Sequence, residues 1–206
     1  MNMDKPFTKD NFPAEPEKSS LEGKNKFIGF WLFLGGETVL FAALFGTFLA
    51  LRNSFANGPT ADELFQLPLV FVATMILLSS SLTSVYAMYH MKNNDFGKMK
   101  LWLWITWFLG LSFLILEVYE FNHYIHEGLT YTTSAFGSAF YTLVGTHGGH
   151  VFFGLLWIGT LLIRNSKRGI TPYTAPKYYL ASLYWHFIDV VWVFIFTAVY
   201  LMGKVG

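Results

Sequence analysis

Hydrophobic and polar positions alternate along this chain in long blocks, not with the short periods of a soluble fold. Five apolar runs stand out, 27–51, 67–91, 101–121, 135–163 and 178–203, of 25, 25, 21, 29 and 26 residues. A helix needs roughly 20 predominantly apolar residues to cross the hydrocarbon layer, and each run reaches that length. Lipid cannot hydrogen-bond to backbone N–H and C=O groups, so runs of this length are read as helices. Pro68 falls in the first turn of the second run, where its missing N–H costs nothing. Pro172 and Pro176 lie in the polar stretch 164–177 between the fourth and fifth runs. The pattern predicts an all-α, polytopic bundle of five transmembrane helices. It divides the chain into a polar tail, 1–26, without a core of its own, and a membrane domain, 27–206.

Composition agrees. Hydrophobic residues make up 53% of the chain with Gly left out of the count, and charged residues only 13%. Ordinary soluble domains hold about 45–50% apolar residues with Gly included, and about 25% charged. The first apolar run is too long for the core of a cleavable signal and lacks a small-residue cleavage site. The chain has no Cys. That excludes disulfides, covalent c-type haem, iron–sulfur clusters and thiolate-bound copper or zinc.

The net charge of +1 becomes informative only when placed by loop. Lys and Arg number 12 on the tail and the two loops on its side (around 92–100 and 164–177), against 2 on the other side, Arg52 and Lys204. The positive-inside rule then predicts a cytoplasmic N-terminus and an outside C-terminus. The basic loops also suit anionic lipid headgroups. Trp31, Tyr86, Tyr89, Trp102, Tyr119, Tyr124, Tyr178, Tyr179 and Tyr200 read as interfacial belts.

The spans are not free of ionisable residues. Glu37 sits near the middle of the first, Glu117 and Glu120 in the outer half of the third, His147 and His150 near the centre of the fourth, and His186 and Asp189 near the middle of the fifth. Such groups are costly in lipid, so they face a bundle interior and pair. All three same-helix pairs, Glu117/Glu120, His147/His150 and His186/Asp189, are spaced i,i+3, which places both members on one helix face. Glu117 and Glu120 are therefore expected to meet His147 and His150 as a buried polar network. Gly145-x-x-x-Gly149 and Gly154 predict close helix approach in the fourth span, and Ala42-x-x-x-Gly46 in the first and Ser80-x-x-x-Ser84 in the second do so more weakly.

Three readings of this constellation stay open on residues alone. Two carboxylates and two His suit a di-iron bundle, but there Glu-x-x-His lies on single helices, whereas here Glu-x-x-Glu and His-x-x-His are segregated. Haem could be ligated by His147 or His150 with His186, although two His at i,i+3 cannot both ligate one haem axially. The third is mutual satisfaction that fixes helix register. Glu37 has no partner on its own helix. It either meets one from another helix or chain, or it is protonated because burial disfavours the charge. That makes it the candidate for proton handling. No phosphate loop, nucleophile elbow or nucleic-acid patch is present.

Four stretches resemble subunit III of the haem–copper terminal oxidases. They are Gly29-Phe-Trp-Leu-Phe-Leu-Gly-Gly-Glu37-Thr-Val-Leu-Phe-Ala42, Leu116-Glu117-Val-Tyr-Glu120-Phe, Gly145-Thr-His147-Gly-Gly-His150-Val, and Tyr184-Trp-His186-Phe-Ile-Asp189-Val-Val-Trp192-Val-Phe-Ile-Phe196. They follow the family's order and span about residues 27–203. The chain resembles the bacterial five-helix form, which lacks the first two of seven spans. Leu21-Glu-Gly-Lys-Asn-Lys-Phe and Ser84-Val-Tyr-Ala-Met-Tyr-His-Met-Lys look most like the cytochrome c type of Gram-positive bacilli; the quinol oxidases are the alternative. The resemblance implies a multi-pass subunit of the bacterial plasma membrane with no metal, haem or copper of its own. Its implied partners are the catalytic subunit I, subunit II and a small subunit IV, in a complex that reduces oxygen to water and pumps protons. Glu37 would match the family's buried membrane carboxylate, Glu117, Glu120, His147, His150, His186 and Asp189 its polar network, and phospholipid would be bound in a cleft that lacks two of its helices here. A stand-alone proton-coupled transporter or membrane di-metal enzyme is the reading from a different class.

Overall fold

The computed structural model of the chain describes residues 5–8, 11–56 and 65–205, so Lys9 of the tail lies outside it. It is all-helical, with five helices long and apolar enough to cross a membrane. We number them α1 (Leu21–Leu51), α2 (Leu67–Lys92), α3 (Phe96–His126), α4 (Ala135–Arg164) and α5 (Ala175–Ile195). Several run past their apolar stretches because polar caps satisfy the first N–H groups where the chain leaves the hydrocarbon. Ser20 accepts from Gly23 N–H at 3.0 Å, Asp95 from Lys98 N–H at 3.1 Å, and Ser134 from Gly137 N–H at 3.0 Å. α1 and α3 accordingly start six and five residues before the runs at 27 and 101. α5 widens into a π-helical turn at Phe196–Leu201, followed by a short α-helical turn at Met202–Val205.

The helices are not equivalent. α2, α3, α4 and α5 each pack against two of the others, α2 on α3, α3 on α4, α4 on α5 and α5 back on α2, which closes a four-helix ring. α1 lies outside that ring against α4 and α5 and buries least of its apolar surface. In the ring the Trp185 indole, 1% exposed, fills the centre. Its N–H donates to Ser80 Oγ of α2 at 2.9 Å, and its ring lies against Gly110 of α3 and Gly154 of α4. One heptad along α5, Trp192 donates to Thr74 of α2 at 2.9 Å, and Ser182 shares a 2.7 Å hydrogen bond with Ser84. The Ser80-x-x-x-Ser84 face therefore does meet another helix.

The other small-residue expectations divide. Gly154 makes a close helix contact. Gly149, Gly46 and Ala42 are exposed, and a Cβ at Gly149 or Gly46 would meet nothing within 4 Å, while one at Gly145 would touch only Phe121 at 3.9 Å. The tight approaches fall instead at Gly110 and Gly148, because what selects them is the bulk of the side chain opposite, not the four-residue spacing. Tyr124, Tyr178 and Tyr200 likewise leave the expected aromatic belts: all three are buried, and their hydroxyls find partners inside.

The described part of the tail packs on the bundle end. Phe7 is 7% exposed, its N–H donates to Ile170 C=O at 3.0 Å, and Pro16 and Glu17 are buried. The α4–α5 loop that receives it is braced by Thr171 and Thr174, which bond reciprocally through their N–H groups and hydroxyls.

A Cβ at Gly110 would sit 2.5 Å from Trp185, a rigid ring pinned by Ser80. Gly110→Ala is therefore expected to destabilise the chain by about 1–3 kcal/mol as overpacking, read as a lower unfolding midpoint in detergent. Gly149→Ala, into open space, should leave that midpoint unchanged.

Candidate functional site

Of the seven ionisable residues expected inside the membrane, six fall into three separate groups and His186 lies apart from them. Residues three apart on a helix differ by 300°, and so diverge by about 60° around the axis. On a helix packed from two sides, that divergence sends the two side chains to different neighbours. His147 and His150 of α4 illustrate it: His147 points into the ring, and His150 points at α1.

At the α1–α4 contact, His150 Nε2 lies 2.9 Å from Glu37 Oε2. Glu37 thus has its partner on another helix. The other ring nitrogen, Nδ1, lies 2.7 Å from Thr146 C=O, an oxygen that can only accept. Nδ1 therefore carries a proton, and Nε2 of the neutral ring is an acceptor. The 2.9 Å contact then needs one more proton, on the carboxyl as an acid–imidazole pair or on the ring as a carboxylate–imidazolium pair. Either way, Glu37 and His150 hold one proton between them. The Phe41 ring covers the imidazole with centroids 5.1 Å apart, and the Tyr184 hydroxyl donates to His150 C=O at 3.3 Å. The pair is not sealed: the side chains of His150 and Glu37 are 20% and 17% exposed. His150 borders a groove of about 350 Å³ with Phe33, Thr146, Gly149, Phe153 and Tyr184.

Inside the ring, Glu117 of α3 faces His147 of α4 with Oε1 4.0 Å from Nδ1. Both are buried. His147 Nε2 lies 3.3 Å from Ile188 C=O of α5, which fixes the proton on that nitrogen and turns Nδ1 toward the carboxylate. Trp192 and Phe113 enclose the imidazole at 5.1 and 5.9 Å between centroids. Gly148 makes the space, since a Cβ there would stand 2.8 Å from Glu117 Oε2. Asp189, buried on α5, lies in electrostatic reach of His147 and Ser81. Among the described residues, neither Glu117 oxygen has a hydrogen-bond partner, nor do Asp189 Oδ1 and Ser81 Oγ.

Glu120 belongs to a third group. The Tyr124 hydroxyl, one turn on, donates to its Oε1, and the Tyr200 hydroxyl donates to Oε2 at 3.3 Å. Tyr200 sits in the π-helical turn of α5. The expected Glu117–His147 meeting is present as a 4.0 Å approach, whereas Glu120 meets two Tyr and His150 meets Glu37. His186 turns away from Asp189, to a groove between α2 and α5. Among the described residues, no group of three or more His, Cys, Asp or Glu is placed to hold a metal.

Tyr124, Tyr184 and Tyr200, and the α2 hydroxyls that hold Trp185 and Trp192, were not singled out as site residues. Signals existed for some of them: Tyr124 is spaced i,i+4 from Glu120, and Trp185 and Trp192 are one heptad apart.

Because Glu37 and His150 hydrogen-bond across helices, they should couple energetically. Glu37→Ala and His150→Ala in a double-mutant cycle, followed by denaturant unfolding in mixed micelles, should return about 0.6–1.7 kcal/mol of interaction energy, the range measured for such bonds in membranes. Simple additivity would show that the contact contributes nothing to stability.

Comparison with known proteins places these groups in context. The family profile described as Cytochrome c oxidase subunit III matches residues 18–204. Cytochrome c oxidase subunit 3 of Bacillus subtilis (strain 168) is 72% identical over the whole of both chains, and that of Bacillus sp. (strain PS3) is 70% identical over the whole of both. Quinol oxidase subunit 3 of Bacillus subtilis (strain 168) is 49% identical, covering 95% of this chain and 96% of the relative. With a match over nearly its full length and identities this high, the chain belongs to the cytochrome c oxidase subunit III family.

Proposed function

We propose that this chain is the non-redox third subunit of a proton-pumping haem–copper cytochrome c oxidase, which reduces oxygen to water in aerobic respiration. It is a multi-pass bacterial membrane protein and a subunit of a terminal oxidase complex. In the proposed assembly it supports the catalytic subunit I, beside subunit II and a small subunit IV that carry or flank the haem and copper chemistry. Its own residues would carry no electron. The cytochrome c reading is preferred to the quinol reading because identity is 72% to the one relative and 49% to the other over similar lengths. The subunit reading is preferred to a stand-alone transporter or di-metal enzyme because the family match covers residues 18–204.

The observation that carries a proton-handling role is the 2.9 Å contact of Glu37 with His150 at the open edge of the bundle, where two acceptors in contact call for a shared proton. A proton could pass between carboxyl and imidazole over 2.9 Å without any helix moving. The proposed orientation puts the basic loops and the N-terminus in the cytoplasm. There Arg164, Arg168, Tyr173 and Lys177 surround a pocket of about 70 Å³ suited to the headgroup of a bound phospholipid. Lys177 lies 3.4 Å from the Tyr173 ring centroid and, with Arg168 and Arg164, holds the Tyr173 hydroxyl below its ordinary range.

Glu37→Gln keeps the hydrogen bond, since the amide can donate to Nε2, but cannot pass a proton. In the intact oxidase this variant should assemble with unchanged haem spectra, while the proton-to-electron ratio or the endurance under continuous turnover falls. A fully assembled variant that pumps and lasts like the parent would reduce Glu37 to a helix-packing residue.

A further inference from the structure

α2 and α5 run antiparallel, and each presents an i, i+3, i+4, i+7 face to a common groove of about 330 Å³. Val85, Met88, Tyr89 and Lys92 come from one helix, Tyr179, Ser182, Leu183 and His186 from the other. Lys92 and Tyr179 stand at the rim on the basic end of the bundle. His186 lies seven residues along α5, about 10 Å deeper. The two polar ends of this groove lack partners of their own. The imidazole of His186 makes no hydrogen bond among the described residues, although it lies within a membrane-spanning helix. Lys92 makes no ion pair among them either; Glu15, which feels its charge, is already bonded to Lys18 at 2.9 Å. Ser182, by contrast, is satisfied by Ser84.

The depth of His186 decides what fills the groove. A phospholipid could set its phosphate on Lys92 and the Tyr hydroxyls, but at the level of the imidazole it offers only acyl chain. Ionisable groups inside membranes almost always find polar partners. We propose that the α2–α5 groove is the docking surface for a transmembrane helix of another oxidase subunit, one that presents a hydrogen-bonding side chain to His186 and an acidic residue, at the end of its span, to Lys92. This rests on the chain working within a multi-subunit oxidase, and it selects which face of the bundle meets a partner. It also gives α2 a purpose that the ring does not: its Tyr89, 60% exposed, and its Val85, 51% exposed, border the groove instead of packing within the ring.

The test uses the purified, intact oxidase. A photo-crosslinking amino acid at Val85 or Leu183, with His186 left in place, should on illumination join this chain to a transmembrane peptide of another oxidase subunit, identified by mass spectrometry. In parallel, His186→Leu should weaken retention of this chain in the complex about tenfold during detergent washing, the scale of one membrane hydrogen bond, with His186→Gln restoring it. Crosslinks only to lipid, only to a second copy of this chain, or to nothing, would overturn the assignment, as would equal retention of the Leu variant. If the oxidase does not co-purify at all, it is the proposed function that fails; if it does and the groove stays uncrosslinked, only the docking surface fails.

Discussion

Hydrocarbon offers no hydrogen bonds, and the arrangement of this chain follows from that constraint. Each backbone polar group is satisfied within its helix, and polar side chains must find one another across helices. Those contacts then position the helices. Trp185 and Trp192 of α5 reach Ser80 and Thr74 of α2, and the glycines at 110 and 154 open the space that the larger indole needs. The four-helix ring is thus closed by hydroxyl–indole hydrogen bonds and by the bulk of one side chain, in surroundings where apolar burial between helices gives little drive.

The same constraint separates the ionisable residues by their surroundings. Glu117 and His147 are sealed in the ring by Trp192 and Phe113, and their carboxylate–imidazole approach is held by packing. Glu120 is clasped by two Tyr hydroxyls and serves to tie α3 to the end of α5. Glu37 and His150 sit where the peripheral α1 meets the ring, with one proton between them and a groove alongside.

Much of this was legible along the chain. Five helices follow from run lengths alone, and the likeness to oxidase subunit III rests on four motifs that span the membrane domain; both agree with the family match over residues 18–204. Helix ends were less legible, because apolar runs stop at polar residues while capped helices continue past them, as at Ser20 and Asp95. The i,i+3 spacing of the acids and His defined a face of each helix, yet it could not say toward which neighbour each member turns, and His186 opens onto a surface groove. The aromatic belt was overextended for a related reason: Tyr124, Tyr178 and Tyr200 have the position of belt residues but, with hydroxyl partners available inside, are buried.

Long apolar blocks, the placement of charge and the absence of Cys therefore determined the class of this protein, its number of spans and its set of polar residues, because each depends on local composition and on the thickness of a bilayer. The pairing of those residues was a different matter. That Glu37 meets His150, that Glu120 meets Tyr200, that Gly110 rather than Gly149 is the tight contact, and that His186 opens onto an α2–α5 groove were decided only when the helices packed. Spacing on one helix defines a face to within about 60°, and the rotation and neighbours of that helix, set by the bulk of side chains opposite, choose the partner within it.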